Sequence, residues 1–84
     1  MADHAAAVVA AAARALVDQP SEVVVTEAVQ RGVTIIELTV APGDVGKVIG
    51  RLGRTAEALR SLVAATAHHH GTRATLEIRG PDVR

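Results

Sequence analysis

None of the 84 residues is Phe, Tyr or Trp while 49% are hydrophobic, so any core must be assembled from Ala, Val, Leu and Ile. A chain of this length supports one domain and leaves no room for a second core, so 1–84 is read as a single module. Aliphatic cores of this size pack thinly, and a stability on the order of a few kcal/mol is the ordinary outcome. The absence of Cys excludes disulfides and thiol chemistry and allows a reducing compartment. The apolar run over 5–13 is short, Ala-rich and preceded by Asp3 rather than by a basic region. It reads as neither a membrane span nor a signal peptide, and the expectation is a soluble, cytoplasmic protein with no membrane insertion.

Hydrophobic periodicity divides the chain into six elements. Asp3 is placed to cap a helix over 4–17, which Asp18, Gln19 and Pro20 end, with Val9, Leu16 and Val17 on its buried side. Residues 22–29, rich in Val and Thr, read as a strand, and Gln30, Arg31 and Gly32 as a turn. A second strand over 33–40 carries Ile36, Leu38 and Val40 on one face and Glu37 and Thr39 on the other, completing a hairpin. Ala41, Pro42 and Gly43 break that strand, and Asp44 is placed to cap a short helix ending at Ile49. Leu59, Leu62, Val63 and Ala67 recur at three- and four-residue steps, predicting a helix over 54–69 that Gly71 stops. A last strand over 72–79 turns Ala74, Leu76 and Ile78 inward and Arg73, Thr75, Glu77 and Arg79 outward. The fold class is α+β.

Between the two later helices stands Lys47-Val48-Ile49-Gly50-Arg51-Leu52-Gly53-Arg54. Two glycines three positions apart let the main chain approach a phosphate closely, and amides at the start of the following helix supply donors and partial positive charge. Arg51 and Arg54 add full charges. Net charge is zero over the chain but uneven along it. Residues 1–45 hold two basic against six acidic residues, a net −4, and residues 46–84 hold seven against three, a net +4. The G-x-x-G loop lies in the basic half, a distribution that points to a nucleic-acid face.

Other chemistry is poorly supported. Gly43-Asp44-Val45-Gly46-Lys47-Val48 contains a Gly-Lys pair, but its first glycine is too close and Val48 stands where a P-loop needs Ser or Thr for magnesium. His68, His69 and His70 at a helix end read as solvent-facing imidazoles favoured by the negative helix terminus rather than as metal ligands. His4 is set apart near the chain start and the only serines are Ser21 and Ser61, so no nucleophile, base and orienting group assemble. No enzyme activity, metal or cofactor is expected.

The element order, the Val48-Ile49-Gly50-Arg51-Leu52-Gly53 loop and the segment Val40-Ala41-Pro42-Gly43-Asp44-Val45-Gly46-Lys47 resemble a type II KH domain. The length, the Asp18-Gln19-Pro20 helix end and Gly53-Arg54-Thr55-Ala56-Glu57-Ala58-Leu59-Arg60 narrow the resemblance to the stand-alone bacterial KhpA family of small KH-domain RNA-binding proteins. That resemblance implies helix-strand-strand-helix-helix-strand order, with a three-stranded mixed sheet and three helices on one face. It also implies a groove for about four nucleotides of single-stranded RNA. Gly50 and Gly53 would shape the clamp, Arg51 would contact phosphate, and Lys47 and Arg54 would flank it. One of Val48 and Ile49 would line the groove floor while the other anchors the core. Leu52 stands where a polar residue is more usual, which opens contact with a base, a ribose or a second chain. The family is further linked to post-transcriptional regulation, RNA chaperoning and cell elongation, as a homodimer or with a larger KH protein of the Jag or EloR type.

Lacking Phe, Tyr and Trp, the chain offers no aromatic platform for base stacking, so a single copy should bind loosely and two copies should gain by avidity. A competing reading makes the module a protein-interaction or dimerisation unit with RNA contact secondary. Leu52 and the zero net charge favour it, whereas the paired glycines and Arg51 and Arg54 favour RNA.

Overall fold

A computed structural model of the chain describes residues 3–80. The Asp3 side chain expected to cap the first helix, and Asp82 and Arg84 of the basic half, lie outside that description.

The first helix, α1 (Asp3–Leu16), buries Ala5, Val9 and Ala13 at four-residue spacing, the stripe its Ala content allows to lie close to a sheet. Leu16, expected on that stripe, is 41% exposed. It is the last helical residue, and the stripe is completed by Val17, whose N–H donates to the Ala13 carbonyl at 3.1 Å as the chain leaves the helix. The strand expected from residue 22 starts later, because Pro20–Glu22 forms a 3-10 turn. Pro20 fixes the backbone there, and the Glu22 and Val23 N–H groups donate to the Gln19 and Pro20 carbonyls.

Strand β1 (Val24–Gln30) pairs antiparallel with β2 (Val33–Thr39). Only Arg31 and Gly32 separate them, at φ +53° and +79°, the two left-handed residues of a hairpin turn matched to sheet twist. Gln30, expected in the turn, is instead paired with Val33. On β2, Thr34, Ile36 and Leu38 are buried, and Val40 continues their line beyond the strand. The chain then passes through helices α2 (Val45–Ile49) and α3 (Arg54–His69) to β3 (Ala74–Arg79), which runs parallel to β2 and completes a sheet ordered β1-β2-β3. This is the mixed three-stranded sheet with three helices that the resemblance implied.

Residues 72 and 73, expected in the last strand, lie outside it, and Thr72 closes α3. Gly71, at φ +74°, gives its N–H to His68, while Thr72 gives both its N–H and its hydroxyl to the Ala67 carbonyl. That is a Schellman cap, built on the glycine the sequence marked as a stop. The core is wholly aliphatic, and its largest fully buried side chains are Val9, Ile36, Leu38, Val40, Val48 and Val63. Each contributes about 1.5–3 kcal/mol by leaving water. On the opposite sheet face Glu37 sits directly beside Glu77, a like-charge pair that Arg79 offsets from 3.5 and 2.7 Å.

Candidate nucleic-acid interface

A 3-10 turn, Pro42–Asp44, leads into α2, and Asp44 was the residue expected to cap that helix. It makes no side-chain cap bond. Its backbone is already helical (φ −102°, ψ −6°), unlike the extended backbone of a capping residue. The carboxylate, with Asp44 only 2% exposed, crosses instead to the end of α1. There Oδ1 accepts the Asp18 N–H at 3.2 Å and Oδ2 accepts the Gln19 N–H at 3.1 Å. Both amides lie past the helix, and a buried carboxylate is stable there because backbone donors replace its water.

Lys47 lies between two carboxylates, its Nζ 3.2 Å from Asp18 and 3.6 Å from Asp44. The hydrogen bond and charge of Asp18, aided by Asp44, hold its pKa above the usual lysine value. Of the two residues that follow, Val48 is fully buried and Ile49 half-buried, so Val48 anchors α2 and Ile49 reaches the surface.

Gly50 then turns the chain at φ 78°, ψ 171°, a region open in practice to glycine alone. A Cβ there would stand 2.6 Å from the Thr55 Cβ and 2.9 Å from the Thr55 nitrogen. The turn Arg51–Gly53 is closed by the Gly53 N–H donating to the Gly50 carbonyl at 3.1 Å and by the Arg54 N–H donating to Arg51. Gly53 is left-handed with open space around it, and Leu52 is left-handed too (φ 56°, ψ 24°), a conformation that costs a leucine about 1–2 kcal/mol. Leu52 is also 83% exposed. Arg51 and Arg54 are exposed, and neither makes an ion pair among the described residues. No side chain caps α3, so its first amides face the same loop.

Thus Gly50, Arg51, Leu52, Gly53 and Arg54 form one exposed turn, while Lys47 is drawn away into a pair with Asp18. At the other end of α3, Ala64, His68, Thr72, Arg73 and Ala74 line an open cleft of about 340 Å³. His68, His69 and His70 are all exposed, as expected, and His70 also stacks on His4, with ring centroids 4.1 Å apart and planes 10° apart, and meets His69 edge-on at 5.2 Å. Partial loss of hydration, then the charges of His4 and His69, push the His70 pKa down. Sequence reasoning set His4 apart, and no local signal links it to residue 70. Among the described residues no three His, Asp or Glu side chains converge as metal ligands, and no helix is long and apolar enough to cross a membrane.

The family model described as KhpA/KhpB, KH domain matches residues 6–78. The RNA-binding protein KhpA of Treponema pallidum is 58% identical over 66 residues, covering 79% of this chain and 82% of that protein. Its namesake in Caldanaerobacter subterraneus is 52% identical over 66 residues, 79% of this chain and 88% of the relative. The KhpA of Chlamydia trachomatis is 46% identical over 63 residues, covering 75% and 81%.

Proposed function

The chain belongs to the KhpA/KhpB family of KH-domain proteins, and from that membership and the geometry of its loop we propose that it binds single-stranded RNA. Gly50 and Gly53 admit the backbone of about four nucleotides, Arg51 and Arg54 neutralise its phosphates, and Ile49 floors the groove. The observation that carries this reading is the pinned turn itself. Gly50 is held against Thr55 in a glycine-only conformation, with two guanidinium groups that make no ion pair among the described residues and a helix start without a side-chain cap on the same loop. His68 and Arg73, at the cleft beyond α3, are placed for the far end of the strand. Few cations and no Phe, Tyr or Trp make for weak contact by one copy. The fitting role is that of a cytoplasmic RNA chaperone or post-transcriptional regulator linked to cell elongation, acting as a dimer or beside a Jag- or EloR-type KH protein.

Replacing Arg51 and Leu52 together by Asp tests the clamp. Both side chains are exposed, so the fold is retained while two anions repel phosphate, and gel-shift binding is lost. Wild-type binding should follow salt with a log–log slope of about −2 to −3, at roughly 0.7 per single-strand phosphate contact. Unchanged affinity in the double variant removes the clamp.

Leu52 also favours a second reading, self-association through the loop face, because a strained apolar side chain 83% exposed is costly to leave in water. Sedimentation of wild type beside Leu52→Ser separates the two: a dimer weakened by the serine supports this reading, and a monomer at every concentration removes it.

A further inference from the structure

Lys47 stands at the root of the loop, yet its ammonium is shared by two carboxylates of different character. Asp44 is fixed: its side chain is 3% exposed and both oxygens hold backbone N–H groups at the end of α1. Asp18 is not fixed. Its side chain is 76% exposed, and only its backbone N–H is committed to Asp44. An arriving phosphate therefore meets Lys47 inside a local excess of negative charge, and of the two carboxylates only Asp18 is free to swing into water.

We propose that Asp18 is an internal stand-in for phosphate, occupying Lys47 in the free protein and yielding it when an RNA backbone enters the groove. The inference rests on the RNA-binding reading above. Asp44 keeps the ammonium at the mouth of the groove after the exchange, because its own anchorage does not depend on Asp18's side chain. The exchange costs one exposed ion pair, so Asp18 lowers RNA affinity and hides one phosphate contact from the salt dependence.

The test is Asp18→Asn, which keeps the backbone amide that Asp44 needs. Fluorescence anisotropy with a labelled eight-nucleotide single-stranded RNA is read at several salt concentrations for wild type, Asp18→Asn, Lys47→Ala and the double variant, with Glu27→Gln as a control of equal charge change. Asp18→Asn should bind about two- to fivefold more tightly, the range open to one exposed charge pair, with a slope steeper by about 0.7. Lys47→Ala should cancel that gain, Glu27→Gln should not reproduce it, and Asp18→Asn should stay folded and melt only slightly below wild type, by the small amount that one exposed ion pair contributes. Affinity unchanged or weakened by Asp18→Asn, or a gain that survives Lys47→Ala, overturns the proposal while leaving RNA binding standing. A wild type that binds no RNA overturns the parent reading and this one together.

Discussion

Gly50→Ala should be the most damaging conservative change in the loop. Two separate costs add. An alanine at φ 78°, ψ 171° adopts a conformation worth about 1–3 kcal/mol of strain. Its methyl group would also sit 2.6 Å from the Thr55 Cβ and 2.9 Å from the Thr55 nitrogen, and no rotation of the threonine side chain moves either atom. Relieving that overlap means shifting the start of α3 against α2, an overpacking cost of about 1–3 kcal/mol. The sum, about 2–6 kcal/mol, rivals the whole stability of so small a domain. Gly53→Ala, left-handed but with nothing within 4 Å, should lose only about 1–2 kcal/mol. Gly43→Ala, which has neither a left-handed φ nor a close neighbour, should be neutral or slightly stabilising. With no aromatic residue to report by fluorescence, urea unfolding is followed by far-UV circular dichroism. At a slope of about 1–2 kcal/mol per molar, the Gly50→Ala midpoint should fall by at least about 1 M. A fall no larger than that of Gly53→Ala would show that Thr55 does not constrain the turn.

Asp44→Ala strands two amide donors at the end of α1 and leaves Lys47 to Asp18 alone, and should cost about 2–4 kcal/mol in the same urea assay; a loss below about 1 kcal/mol contradicts the bracket between α1 and α2. Desolvation, then the charges of His4 and His69, lower the His70 pKa from the usual 6.5, so its contribution, complete above that pH, is lost as pH falls through the depressed value. Imidazole NMR titration should place His70 below the ordinary histidine value, and His4→Ala should raise it; a His70 titration that His4→Ala leaves unmoved refutes the stack. Arg79→Ala leaves Glu37 facing Glu77 and should lower the urea midpoint slightly, an effect that neutralising either glutamate reduces.

Much of this fold is readable from local pattern. Ile36, Leu38 and Val40 alternate because β2 is central and covered on one face, and Leu59, Val63 and Ala67 recur because α3 lies on the sheet. The loop between the helices is legible from its glycines, since the Gly50 conformation excludes other residues. Element ends are less legible, because they depend on which hydrogen bond wins. Pro20–Glu22 becomes a 3-10 turn rather than strand, and Thr72 serves the α3 cap rather than β3. Least legible are contacts between residues remote in sequence. Asp44 looks like a helix cap by position, yet its partners are amides some 25 residues away. Lys47 looks like a free cation until Asp18 is brought beside it, and His4 meets His70 only because α1 packs along α3.

The clamp is tested most directly by adding a short single-stranded RNA to isotope-labelled protein and following every backbone amide by NMR. The amides of Gly50, Arg51, Leu52, Gly53 and Arg54 should shift first and furthest, with smaller shifts at Lys47, Ile49 and Arg73, while Thr26, Ala28 and Ile35 on the uncovered sheet face stay in place. Saturable binding that moves the sheet-face amides and leaves the loop unshifted would contradict it.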